Sequence, residues 1–207
     1  MTRTLISQID QHYWNKIVLQ WFLHDFRNLG KIAFLILRDR SGLCQIILDQ
    51  ADEIAKLDGC YTGTVIEVEG IPTEAAGNKK FGKEVQYATL NVLEACHHVH
   101  GIDISKEDLA LEMDTMIDNR VVTLRHPKQQ AIFKISALVE KSIRSFFDAH
   151  DFTQITTPKL IGFPTEGGAE VFSLDYFEKK AYLAQSPQFY KQMMVPVFER
   201  VYEIGKA

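Results

Sequence analysis

Two residues three positions apart, Gln188 and Lys191 in the run SPQFYK, carry the most suggestive chemistry in this 207-residue chain. On a helix they share one face. Ser186 is a good N-cap and Pro187 suits the first helical position, where its missing N–H costs nothing. A short strand over residues 181–184 would deliver the chain to this turn. A fixed amide beside a fixed ammonium suits a small anionic ligand such as an amino acid. A surface helix with a solvated lysine is the plainer alternative. Upstream, in TEGGAEVF, Glu166 precedes Gly167 and Gly168, whose backbone freedom suits a swinging loop. The alternative there is an exposed acidic turn.

A second group lies near the N-terminus. Residues 27–40 carry a local charge of +3, from Arg27, Lys31, Arg38 and Arg40 against Asp39. Lys79, Lys80 and Lys83 form another basic loop. An exposed aromatic in such a groove gives a nucleobase a stacking surface worth about 1–3 kcal/mol. Phe34 is the candidate, and Gln45, on the next strand, could bond the edge of the same base. Alternation leaves open whether Phe34 faces the core instead.

The elements that must hold these residues read as follows. Five β-type runs, near 16–25, 32–38, 43–48, 63–71 and 84–93, are separated by turn signals. DQADEIAKLDGC between the third and fourth predicts a short acidic helix ending at Gly59. This is the pattern of an OB-fold, a five-stranded barrel that binds oligonucleotides; a barrel with no ligand is the alternative. We place this domain at 1–100. Residues 101–126 form a hinge, in which Ser105 is expected to cap a helix. Cys96, His97, His98 and His100 lie within the run CHHVHG, where neighbours on a strand point to opposite faces, so a polar interdomain loop is expected rather than a metal site. From 127, Pro127 opens the clearest helix, with Ile132, Ile135, Leu138, Val139, Ile143 and Phe146 as a packing stripe. DFTQITTPKL is a β-rich run stopped by Pro158, and a hairpin turns near 178–180.

Composition narrows the function classes. With 46% hydrophobic residues the chain can bury a core, and no apolar run reaches membrane-spanning length. No secretory signal is visible. Three scattered cysteines fit a reduced, cytoplasmic protein. A net charge of −4 does not advertise nucleic-acid binding, so such binding must rest on local charge.

Taken together, AYLAQSPQFYKQMMV, TEGGAEVF, FLILRDRSGLCQ and DTMIDNRVVTLR resemble the aspartyl-tRNA synthetases of class II, archaeal and eukaryotic type. The resemblance implies an α+β chain: an all-β OB-fold domain for the anticodon, then the start of the class II antiparallel-sheet catalytic domain over 127–207. It implies that Phe34 stacks on the central anticodon base, that Gln45 contacts it, and that Arg27 lies on the same face. His24 and Lys80 fall at positions that separate enzymes charging only the aspartate tRNA from those that also charge the asparagine tRNA. The long helix, the β-rich run after it and Pro158 would together build a homodimer interface, with Pro158 reaching toward the partner. Glu166 would bind the amino acid's ammonium group and Gly167–Gly168 would close over it. Ser186, Gln188 and Lys191 would hold L-aspartate, the lysine favouring carboxylate over amide. Asparaginyl enzymes, the runner-up, typically lack both that proline and that lysine. ATP and Mg²⁺ are implied as cofactors, but the family pattern breaks at Lys206, before the ATP-gripping arginine. The expectation is therefore an N-terminal portion of an aspartate–tRNA ligase, inactive alone. A non-catalytic tRNA-binding protein is the alternative.

Overall fold

The computed structural model describes residues 2–74, 83–99, 101–164 and 171–205. The chain divides into two compact units, Met1–Gln129 and Gln130–Ala207.

In the first unit, alternate apolar residues along five strands face one interior, as the period-two pattern requires. They are β1 (Ile17–Asn28), β2 (Ala33–Arg38), β3 (Leu43–Leu48), β4 (Val65–Glu74) and β5 (Lys83–Glu94), closed in the order β1-β2-β3-β5-β4. The β3–β5 contact is parallel and the others antiparallel. Leu35, Leu37, Ile46, Leu48, Ile66, Val68 and Val85 are fully buried in the barrel core. A 3-10 turn (Ile6–Gln11) adds Ile6 and Ile9 to that core, and α1 (Ala51–Ala55) adds Ile54. The buried carboxylate of Asp39 ties the turn to the β2–β3 connection. It accepts from the backbone of Ile6 at 2.9 Å, Ser41 at 2.7 Å and Gly42 at 3.1 Å. Gly70 sits where the β4–β5 register shifts between Glu69 and Ile71. A Cβ there would collide with Val85 and come within 3.0 Å of the Gln86 carbonyl oxygen.

The hinge differs from expectation. Ser105 caps no helix: its backbone N–H and hydroxyl both donate to Asp103 Oδ1, at 2.9 and 2.6 Å. This local side-chain turn competes with helix formation. The helices begin later, as α2 (Met113–Asp118) and α3 (Arg120–Thr123). Asn119 and Arg120 donate back to the carbonyls of Thr115 and Ile117 and order their junction.

The long helix α4 (Pro127–Asp148) starts at the expected proline. Its apolar stripe was expected to pack, yet Ile132, Ile135, Leu138, Val139, Ile143 and Phe146 are 41–62% exposed. The second unit covers a different side, where Phe147 stacks on Tyr202 at 4.6 Å and meets Phe152 edge-on at 5.0 Å. The β-rich run is two short strands, β6 (Thr153–Gln154) and β7 (Leu160–Ile161), with Pro158 exposed between them. β8 (Ser173–Tyr176) and β9 (Lys179–Leu183) form the hairpin, and their register puts its turn at Phe177 and Glu178 rather than 178–180. β9 also pairs antiparallel with β7. α5 (Gln188–Phe198) follows, and β10 (Val201–Tyr202) lies parallel to β6. Among the described residues no helix is long and apolar enough to cross a membrane.

Candidate nucleic-acid groove and amino-acid recess

Strand register decides which side chains meet on the barrel. Phe34 lies opposite Arg27 on β1, and Ile36 lies opposite Asp25 on one side and Gln45 on the other. Directly opposed residues share a face, so Arg27, Phe34 and Gln45 emerge together on the outer surface while Leu35 and Ile46 point inward. They line a groove of about 1170 Å³ together with His24 and Glu84. The hinge residues Ser105, Lys106, Glu107 and His126 line it as well, with Lys128 from the start of α4. Phe34 is half-buried. Gln45 is buried and its Nε2 donates to Glu84 Oε2 at 3.4 Å, while Gln86 donates to the other Glu84 oxygen. The carboxylate at the floor thus accepts from two amides.

His24 occupies the irregularity in β1, where the register with β2 shifts between Leu23 and Asp25. Its side chain turns from solvent and only 5% of the residue is exposed. Burial, with Arg38 next in weight, lowers its pKa to about 4, so the ring is neutral at pH 7. His126, also buried, has both ring nitrogens engaged. Nε2 lies 2.9 Å from the Lys106 carbonyl oxygen, and Nδ1 accepts from the Lys128 backbone at 3.2 Å. It fastens two hinge segments into one wall.

The basic character of this face is smaller than the sequence suggests. Arg38 is only 6% exposed and donates to the Arg125 carbonyl. Both guanidiniums lie over the Phe22 ring, at 5.5 and 5.2 Å. Burial and the Arg125 charge lower the Arg38 pKa to about 10, which leaves it a buried cation rather than a surface one. Lys83 is taken up by Asp10 at 2.7 Å. Lys79 and Lys80 lie outside the described residues.

In the second unit, Ser186, Gln188 and Lys191 line a recess of about 420 Å³ with Gln192, Val195 and Pro196. Pro187 takes the N-cap position of α5, one residue later than expected, and Ser186 Oγ accepts from the Gln188 N–H at 3.2 Å. The first turn of α5 therefore aims an amide and an ammonium at one space. Glu166, Gly167 and Gly168 lie outside the described residues. Deeper in this unit, Glu203 accepts from Thr157 and, at 3.0 Å, from Lys159. Among the described residues no group of three or more His, Cys, Asp or Glu side chains gathers as a metal site.

Comparison with known proteins bears on both units. Residues 18–93 match the OB-fold nucleic acid binding domain, and residues 112–207 match the class II tRNA synthetases of the D, K and N group. Residues 112–207 belong to the class II tRNA synthetases. An aspartate–tRNA(Asp/Asn) ligase of Thermus thermophilus is 41% identical over 98% of this chain and 46% of its own length. One from Deinococcus radiodurans is 37% identical over 99% of this chain and 46% of its own. The chain thus spans a little under half the length of these curated relatives. Among solved structures, an asparaginyl-tRNA synthetase of Pyrococcus horikoshii, complexed with asparaginyl-adenylate, superposes with a TM-score of 0.86. It is 25% identical and covers 99% of this chain and 48% of that one. A putative aspartyl-tRNA synthetase of Leishmania major gives 0.82 at 26% identity, covering 99% and 43%. The architecture is accordingly an OB-fold barrel followed by the start of a class II catalytic domain, and the family is one of enzymes.

Glu84, Lys106 and His126 escaped the sequence reading. No local signal marks them, because they reach the groove through strand register and the hinge's return.

Proposed function

We propose that this chain is the tRNA-reading and amino-acid-selecting portion of a cytoplasmic, homodimeric aspartate–tRNA ligase. The complete enzyme activates L-aspartate with ATP and Mg²⁺ and transfers it to tRNA. The observation that carries this reading is the convergence of Arg27, Phe34 and Gln45 on one groove of the barrel. Phe34 supplies the ring on which the central anticodon base stacks, Gln45 meets its edge, and Arg27 lies beside them for the backbone phosphate. Phe34→Ala should weaken binding of an aspartate anticodon stem–loop by about tenfold or more, as loss of one stacking platform does. Unchanged affinity by fluorescence titration would remove the groove from this role.

For the amino acid, Gln188 and Lys191 share the recess on α5. An ammonium there prefers the aspartate carboxylate to an amide. In the complete enzyme, Lys191→Ala should raise the KM for aspartate at least tenfold and leave that for ATP within about twofold. Pyrophosphate exchange measures both, and an equal loss for the two substrates would exclude the assignment. Relaxed tRNA use fits too, since the curated relatives named above are called tRNA(Asp/Asn) ligases. The two anticodons differ only in their third base, C against U, and His24 stands in the same groove as Phe34.

A further inference from the structure

The two walls of the groove differ in chemistry. The barrel wall offers the surfaces that a base would meet, Phe34 and Gln45, whereas the hinge wall is an irregular segment around Lys106. Side chains hold that segment in place. Asp103 Oδ1 accepts from the Ser105 N–H and hydroxyl, and the buried His126 donates through Nε2 to the Lys106 carbonyl oxygen at 2.9 Å. His126 is fixed in turn, because its Nδ1 accepts from the Lys128 backbone. The cations of the groove are not equivalent. The Lys128 ammonium is taken up by Asp108. Arg27 and Lys106, one on each wall, are exposed, and neither side chain makes an ion pair or hydrogen bond among the described residues. Asp103 feels the Lys106 charge, but its carboxylate is held by Ser105.

We propose that Lys106 holds a backbone phosphate of the RNA from the hinge wall, with His126 as the residue that positions it. A nucleotide carries its base and its phosphate on opposite sides of the sugar. A base laid against Phe34 therefore turns the backbone away from the barrel, toward the wall that carries the unpaired ammonium. Lysine suits this task as a point charge with three rotatable donors. Its flexible stem finds a phosphate reproducibly only from a fixed backbone, and the His126 bond supplies that fixed point. Glu107, the next residue, also lines the groove. Its negative charge keeps phosphates off the rest of this wall, so the contact is restricted to Lys106. Such a contact is blind to the base and adds affinity without selecting among anticodons. This inference rests on the groove being the anticodon site and adds what holds the strand from the other side.

The test titrates this chain with two fluorescent stem–loop RNAs, one with the aspartate anticodon and one with all three anticodon bases changed, from about 50 to 200 mM salt. Lys106→Gln should weaken both by the same factor, about three- to tenfold at the lowest salt, and should reduce the slope of log affinity against log salt by about 0.7. Lys106→Arg should restore affinity and slope. Phe34→Ala removes no charge and should weaken binding with the slope unchanged. His126→Asn should cost affinity by itself but nothing further beside Lys106→Gln, since a positioning residue acts only through the group it positions. An unchanged slope in Lys106→Gln, or a loss limited to one of the two RNAs, overturns the proposal. Additive losses in the double variant remove His126 from it. If His126→Asn does not fold, the slope decides alone, because Lys106 is exposed and its replacement leaves the core untouched. If the unaltered chain binds neither RNA, the groove reading falls and takes this one with it. If Phe34→Ala weakens both while Lys106→Gln changes nothing, the groove reading stands and only the role of Lys106 falls.

Discussion

The imidazole of His24 links the groove to stability. Unfolded, it ionises near 6.5; in the barrel burial and Arg38, aided by His126 and opposed by Asp25 and Asp103, bring that down to about 4. Above pH 6.5 both states are neutral and the group contributes nothing to pH dependence. As pH falls from 6.5 toward 4 only the unfolded chain takes up the proton, so stability is lost through that window, by roughly 3 kcal/mol at most. The urea midpoint of the barrel should therefore drop more between pH 7 and pH 4.5 in the native sequence than in His24→Gln. Parallel curves would show that the ring is not buried as described. A carboxylate away from the ring such as Glu53, whose pKa is lowered, loses its contribution only from the acid end of that window downward and acts alike in both proteins.

At the scale of elements, the barrel depends on close approach of β4 and β5 at Gly70. The glycine is required by space, since Val85 and the Gln86 carbonyl occupy the place of a Cβ. Gly70→Ala should cost about 1–3 kcal/mol by overpacking, read as a lower urea midpoint with unchanged slope. No loss would mean the strands part easily at this bulge. The groove's second wall is an element-scale effect as well. The segments around Lys106 and Lys128 are distant in sequence, and His126 bonds to both. The lysine of the second segment is held in turn by Asp108.

For the whole molecule, the two units differ in how much they bury. Among the described residues, the first holds a continuous core of eighteen buried residues, from Ile6 to Leu90. In the second, no residue of α4 or α5 is buried, and the buried apolar side chains among the described residues are Ile155, Ile161, Ala181 and Tyr202. Stability follows buried apolar area, so the second unit of this chain should unfold first. Both tryptophans, Trp14 and Trp21, lie in the first unit. Urea should accordingly remove much of the helical circular dichroism of α4 and α5 before tryptophan fluorescence changes. Coincident transitions would show that the two units unfold together.

Much of the barrel was legible because β-strands repeat every two residues and turns use few residue types. β3 begins and ends where the pattern places it, and β1 runs only three residues beyond its expected end. The proline start of α4 follows from local chemistry too. Ser105 misled because a cap and a side-chain turn use the same residue types, and only the bond to Asp103 distinguishes them. The apolar stripe of α4 has helical period, which marks a face but not what covers it, and within its own unit the helix packs through Phe147 instead. Spacing could nominate Phe34, Gln45 and Lys191, since a side chain's chemistry belongs to its type. Register, by contrast, is a property of strand pairs. It alone set Arg27, Phe34 and Gln45 on one face and put Glu84 beneath them. The fold likewise turned Arg38 from a surface charge into a buried one and left His24 Nδ1 without a partner among the described residues, because burial is decided by what packs against a residue and not by what precedes it.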